Sequence, residues 1–210
     1  MIGMFLSSLI VFCLVIAFTN RRHKKMIEKY EKDFWDREAL ANNTRKKSLT
    51  NLAYISIPEY LIPEHFMPKD AEVLELLETL RYLSTQKIVN LTGYTNTDLK
   101  LEYGTANITC LSEYDQNYTL LARTLQRLAE ILYQNALIKE ARTILEFAVS
   151  TGTDVSRSYY LLADIYDAEG EYDKKTALIK KAGSLRSTMK NVIVRTLQES
   201  GPYSGWLHSG

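Results

Sequence analysis

Leu128-Ala129-Glu130-Ile131-Leu132 and Leu162-Ala163-Asp164-Ile165-Tyr166 are one phrase written twice. Further along, Ala141, Leu145 and Ala148 stand opposite Lys175, Ile179 and Ala182 at the same offset. A 34-residue period of small and large apolar residues marks a helix-turn-helix unit that cannot bury its apolar face alone, so neighbouring units must stack. The small residues Ala129, Ala148, Ala163 and Ala182 let the helices of a hairpin approach closely, and Leu128, Leu132, Leu162 and Tyr166 fill the space between.

The surrounding chain extends the helical reading. One long helix is expected from about Asn107 to Asn135, on Leu111, Tyr114, Tyr118, Leu121, Leu125, Leu128 and Leu132. Its second half is the first helix of the first repeat. Ala141 to Val149 supplies the second, ending at Gly152; the next pair is marked by Tyr159 to Tyr166 with a turn at Gly170, then Tyr172 to Leu185. A last amphipathic helix, with Met189, Val192, Ile193 and Leu197, covers the open end that a stack leaves. Upstream, Asp70 is an N-cap for a helix striped by Val73, Leu76, Leu77, Leu80 and Leu83. Between Ile88 and Gly104 the pattern is weak. Leu99, Leu101 and Tyr103 alternate as in a strand, yet a short helix from Asp98 to Tyr103, closed by Gly104, agrees better with helical neighbours.

Residues 122–189 resemble the tetratricopeptide (TPR) family. The likeness implies an all-α fold, a right-handed solenoid of helix pairs with a C-terminal capping helix, that holds a protein partner. The departures are Lys175 where that pattern has alanine, Ala136 in place of the turn glycine, and no proline closing either unit. Two units are fewer than the three such arrays need, so the helices over 70–85 and 107–119 are expected to stand in for a third. In this family the first helices line an inner groove. Matching positions here are Arg123, Gln126, Glu130 and Tyr133, then Arg157, Tyr160, Asp164 and Asp167. Chaperone-binding members place Lys and Asn there to clamp a terminal carboxylate. Glu130 and Asp164 disfavour that ligand and suit a peptide or helix with basic and apolar groups. A groove filled by the protein's own linker or tail is the competing expectation.

Residues 1–19 carry no charge. At 1.5 Å per residue they give roughly 28 Å of helix, enough for a bilayer core of about 30 Å. Nothing basic precedes the run, and Arg21, Arg22, Lys24 and Lys25 follow it. That order argues for an uncleaved single-pass anchor in the cell membrane, N-terminus out, with the helical domain on the cytoplasmic side. Residues 20–48 hold ten Lys/Arg against five Asp/Glu, and the rest of the chain sixteen against twenty. The near-neutral total therefore hides a basic neck, suited to anionic lipid, and a mildly acidic body. A helix is expected over 20–46, with Phe34-Trp35 and Ala41-Asn42 packing back onto the protein's own body in preference to docking on a partner or lying at the lipid interface. Residues 49–69 hold three of the four prolines and read as an extended strap. The expected segments are then 1–19, 20–48, 49–69, 70–119, 120–186, 187–200 and a tail over 201–210, whose Tyr203 and Trp206 either serve as a recognition peptide or fold back to bury Trp206. This layout resembles a group of single-pass membrane-anchored proteins of clostridial-type bacteria, a likeness that implies a location and no activity.

The sequence offers no chemistry. His23, His65 and His208 all lie outside the helical body, so no histidine can pair there with a nucleophile. Cys13 and Cys110 form neither a disulfide framework nor a zinc motif. No glycine-rich phosphate loop occurs. No catalytic, cofactor or metal site is expected, and the acidic body disfavours nucleic acid. Asn42, Asn90, Asn107 and Asn117 begin glycosylation sequons, relevant only if the body faced a eukaryotic lumen. The functional expectation is an adaptor or scaffold, not an enzyme. The alternative is a structural subunit of a secretion, envelope or signalling complex, assembled through the neck and tail.

Overall fold

The computed structural model describes residues 2–63, 67 and 69–199, without the side chains of residues 2–11, 13 and 14. Among these residues the fold is all-α. In chain order the helices are α1 (Ile2–Asn42), α2 (Ala71–Ser84), α3 (Asn96–Tyr103), α4 (Ile108–Gln134), α5 (Ile138–Ser150), α6 (Ser156–Glu169), α7 (Tyr172–Gly183) and α8 (Lys190–Gln198). The only sheet-like pairing among the described residues is an isolated bridge between Tyr54 and Val89. The chain divides into two compact units: Met1–Ser48 with Thr95–Ile108, and Leu49–Tyr94 with Thr109–Gly210. The expected segment 70–119 is thus divided, because Thr95–Ile108 groups with α1.

In the first unit, α1 ends at Asn42 rather than near residue 46, where the side chains of Asn43 and Thr44 donate to the carbonyls of Ala39 and Leu40. It packs on α3 through polar groups. Arg37 meets Asp98 at 2.5 Å, Lys100 lies 3.5 Å from Glu38, and Glu38 also accepts from the Thr97 hydroxyl. Ala41 is the one apolar residue fully buried among the described residues of this unit. The helix α3 begins at Asn96, two residues before the expected start, because Thr95 and Asp98 close a capping box. Phe34 and Trp35 do not pack back as expected. They are 55% and 66% exposed, and meet only edge to face with ring centres 5.2 Å apart. Met26, Ile27, Tyr30 and Leu40 are exposed as well.

The second unit holds the core. In residues 49–63, Leu52, Ile57 and Leu61 are buried, and Ile55 N–H donates to the Ile88 carbonyl at 2.9 Å. Asp70 caps α2, accepting from the N–H groups of Glu72 and Val73, and Val73, Leu77, Leu80 and Leu83 face inward. The buried face of α4 carries Leu121, Leu125, Leu128, Ala129 and Leu132. Beyond it, α5 packs on α6, α6 on α7, α7 on α8, and α6 also on α8.

The period seen in the sequence is kept by the backbone. The offset that carries Leu128 onto Leu162 also carries Ile138, the start of α5, onto Tyr172, the start of α7. It carries Ser156, the start of α6, onto Lys190, the start of α8. At that offset α8 thus corresponds to α6, with Ile193 and Leu197 buried as Tyr159 and Ala163 are. The hairpin turns also correspond. Leu137 N–H donates to Leu132 O at 2.9 Å and Glu171 N–H to Tyr166 O at 2.8 Å, each around a left-handed residue, Ala136 (φ 60) and Gly170 (φ 72). This is the closing geometry that glycine favours, and alanine at the first turn is strained by about 1–2 kcal/mol. Part of that is offset by the greater chain entropy glycine loses on folding. Ala136→Gly should therefore stabilise the fold by about 0.5–1 kcal/mol, and Gly170→Ala should cost a similar amount. A Cβ at Gly170 would meet nothing within 4 Å, so the second change isolates conformation from packing. Thermal melts of both variants followed by circular dichroism check the pair.

Among the described residues no helix is long and apolar enough to cross a membrane. The anchor expected over residues 1–19 rests mainly on side chains outside the described residues. The tail over 201–210 lies outside the described residues altogether.

Candidate functional site

The eight residues expected to line a groove separate into an inner and an outer set. Gln126 and Glu130, one turn apart on α4, are both buried, and Gln126 Nε2 donates to Glu130 Oε1 at 2.9 Å. From α6, the buried Ser158 hydroxyl donates to Gln126 Oε1, and Arg157 Nη1 lies 3.4 Å from Glu130 Oε1. Arg127 approaches the other Glu130 oxygen at 3.8 Å and makes a two-bond contact with Glu72 of α2, at 2.5 and 2.9 Å. A buried carboxylate must be paired and hydrogen-bonded to be tolerated, and here it is both. The polar row thus fastens α6 and α2 to α4. Hydrogen bonding from Arg127 holds the Glu72 carboxyl below its ordinary range and raises the Arg127 guanidinium.

Asp164 is also buried, on the inner side of α6. Asp167 is tied to Lys175 at 2.5 Å, which gives a reason for lysine where the family pattern has alanine. The outer set is Arg123 and Arg157, which are exposed, and Tyr133 and Tyr160, which are half-buried and rest on the core. The sequence reading missed Glu72, Arg127 and Ser158. Only Ser158 left a trace: it and Thr124, its counterpart one repeat earlier, are both polar and both buried.

A second polar cluster closes the other side of the hairpin between α6 and α7. Arg142 of α5 pairs with Glu146 at 2.9 Å, with Glu169, and with Glu171 at 3.4 Å, and its guanidinium lies 5.3 Å from the centre of the Tyr166 ring. Tyr166 Oη donates to Glu146 at 2.9 Å. Among the described residues no group of three or more His, Cys, Asp or Glu side chains is arranged to hold a metal ion.

Burial pushes the hydroxyls of Tyr118, Tyr159 and Tyr166 above the ordinary tyrosine value of 10.0. A group raised in the fold contributes stability that is complete below its unfolded value and is lost as pH rises past it. Alkaline unfolding should therefore begin above pH 10.0, with the phenolate absorbance of these three rings appearing together with loss of helicity. A combined absorbance and circular-dichroism titration checks this. Ionisation of all three rings with helicity intact would contradict it.

Comparison with known proteins returns no match, whether against family models, curated proteins or solved structures.

Proposed function

We propose that this chain is a membrane-anchored adaptor whose helical repeats hold a protein partner at the cytoplasmic face. The reading is supported chiefly by the correspondence of helix starts and hairpin turns from α5 to α8, whose period is that of tetratricopeptide stacks. The anchor reading is supported by the uncharged run over residues 2–19 and the arginines and lysines that follow it. The contact surface is the outer set: Tyr133 and Tyr160 provide apolar area at low entropic cost, and Arg123 and Arg157 are its exposed cations. The partner is a peptide or helix with apolar and basic groups. Its basic group reaches Glu130 by taking the place of Arg157, one cation replacing another.

Crosslinking in cells with the tagged full chain, followed by identification of the captured proteins, tests this. Capture should be lost in Tyr133→Ala/Tyr160→Ala, with helicity retained. Arg157→Ala should uncover Glu130 and strengthen capture of a basic partner. Capture that is indifferent to all three changes would remove the groove from the proposal.

A structural subunit in a larger membrane complex is the second reading, favoured by one observation. Met26, Ile27, Tyr30, Phe34 and Trp35 are all exposed apolar residues on the charged C-terminal half of α1. Under that reading Phe34→Ala/Trp35→Ala breaks assembly and the groove changes do nothing.

A further inference from the structure

Two stretches of the second unit carry opposite charge. Residues 59–84 hold six Asp/Glu against two Lys/Arg, and residues 172–195 hold one against seven. Glu72 ties α2 to Arg127 of α4, Ser158 fastens α6 to Gln126 of α4, and α7 packs on α6, so α2 and α7 stand at the two ends of this series of contacts. Part of the charge is engaged within the fold. Asp70 caps α2 and Glu72 is held by Arg127, whereas Lys174 pairs with Glu171, Lys175 with Asp167 and Arg195 with Glu199. Glu75 and Glu78 on α2, and Lys180 and Lys181 on α7, are exposed and have no ion pair among the described residues.

Both charged faces border apolar surface, and the two surfaces differ in shape. Leu74, Glu78 and Tyr82 are spaced by four residues along one face of α2, and Leu74 and Tyr82 project into solvent, 39% and 57% exposed. On α7, Lys174, Ala177 and Lys181 share a face and line a groove of about 380 Å³ bounded by α5, α6 and α7. Val149, Leu162 and Leu178 make the groove apolar. Its one carboxylate among the described lining residues, Glu146, is bonded by Arg142 and Tyr166. One face therefore offers apolar projections beside carboxylates, and the other an apolar hollow beside ammonium groups. Each face also carries one exposed charge of the other sign, Arg81 and Asp173, and these match each other as well. Such matching of charge across an interface steers encounter and fixes register. Both halves of the match lie on this one chain, which singles out a second copy as the occupant.

We propose that α2 of one copy docks across this groove of a second copy, with Leu74 and Tyr82 against the apolar lining and Glu75 and Glu78 facing Lys180 and Lys181. The contact is head-to-tail, so each pair keeps a free face at either end and association continues past the dimer unless a ring closes. The proposal does not rest on the adaptor reading, since it shares no residue with that contact surface. Sedimentation of the full chain in a nonionic detergent tests it. The average mass should rise with protein concentration at low salt and fall at high salt, where exposed charges are screened. Glu75→Lys/Glu78→Lys and Lys180→Glu/Lys181→Glu should each lose self-association, because each then presents two faces of one sign. Mixed in equal amounts, the two variants should associate with each other. All four positions are exposed, and circular dichroism checks that helicity is kept. Tyr82→Ala changes no charge and should weaken association at least about tenfold through its lost anchor. A parent chain that keeps one mass at all concentrations, charge variants that associate as the parent does, or a mixture that stays apart would overturn the proposal.

Discussion

Gly104→Ala should release the Thr95–Ile108 segment from α1 while the second unit keeps its own melting transition. The backbone at Gly104 has φ 88 and ψ 146, a region that residues with a Cβ avoid. The space is also closed by main chain. A Cβ there would lie 2.2 Å from the Arg45 carbonyl oxygen, 2.6 Å from its carbon and 2.8 Å from Lys46 Cα. No rotamer change relieves a clash with backbone, so strain of about 1–3 kcal/mol adds to a forced displacement. The bonds most directly at risk, beside the ion pairs between α1 and α3, are the ones next to Gly104: Lys47 N–H to Tyr103 O at 3.0 Å, Thr105 N–H to Thr44 O at 3.3 Å, and Asn107 Nδ2 to Lys47 O at 2.8 Å. With Ala41 as its one fully buried apolar residue among those described, the unit has little hydrophobic burial to hold it once they go. Hydrogen exchange at Lys47 and Thr105 should accelerate to near the unstructured rate. Protection retained at both amides would mean the segment of chain at Arg45 yields without cost.

Apolar periodicity was legible because burial imposes it directly. Leu128 and Ala129 recur as Leu162 and Ala163 because each must face the same kind of neighbour, and all are buried. Polar positions carry no such rule. Gln126 and Glu130 have the spacing expected of groove residues, yet they are buried, and Ser158, Arg157 and Arg127 complete their bonding. The inner edge of a groove and the outer edge of a hairpin contact lie on the same helix face, so spacing alone does not separate them. Phe34 and Trp35 failed for a different reason. Two aromatics on a charged stretch of helix suggest burial, and spacing alone does not say whether this chain's own body supplies the covering surface. The start of α3 was hidden by the alternation of Leu99, Leu101 and Tyr103, whereas the capping box at Thr95 decided it.

Tyr159 is the position where the stack should be most sensitive. Tyr159→Ala is expected to cost about 3–5 kcal/mol, the range for removing a large buried ring. Its ring is fully buried on α6, at the position held by Leu125 on α4 and Ile193 on α8, which are also fully buried. The extra length of tyrosine carries Oη to the Thr153 carbonyl at 2.9 Å, and the Thr153 hydroxyl in turn accepts from Val155 N–H at 3.2 Å. The N-terminus of α6 has no side-chain cap, so this bond stands in for one by fixing the loop that leads into the helix. Tyr159→Phe keeps the ring and removes only the bond, for about 1 kcal/mol. The difference between the two variants in chemical denaturation thus separates packing from hydrogen bonding. The site of the loss also distinguishes a stack from independent helices. Because α8 packs on both α6 and α7, loosening α6 in a coupled array must also loosen α8. Exchange at the Ile193 amide, bonded to Met189 O at 2.9 Å, should therefore rise in Tyr159→Ala. If that amide stayed as protected as in the parent chain, α8 would be held by α7 alone and the helices would not behave as one continuous array.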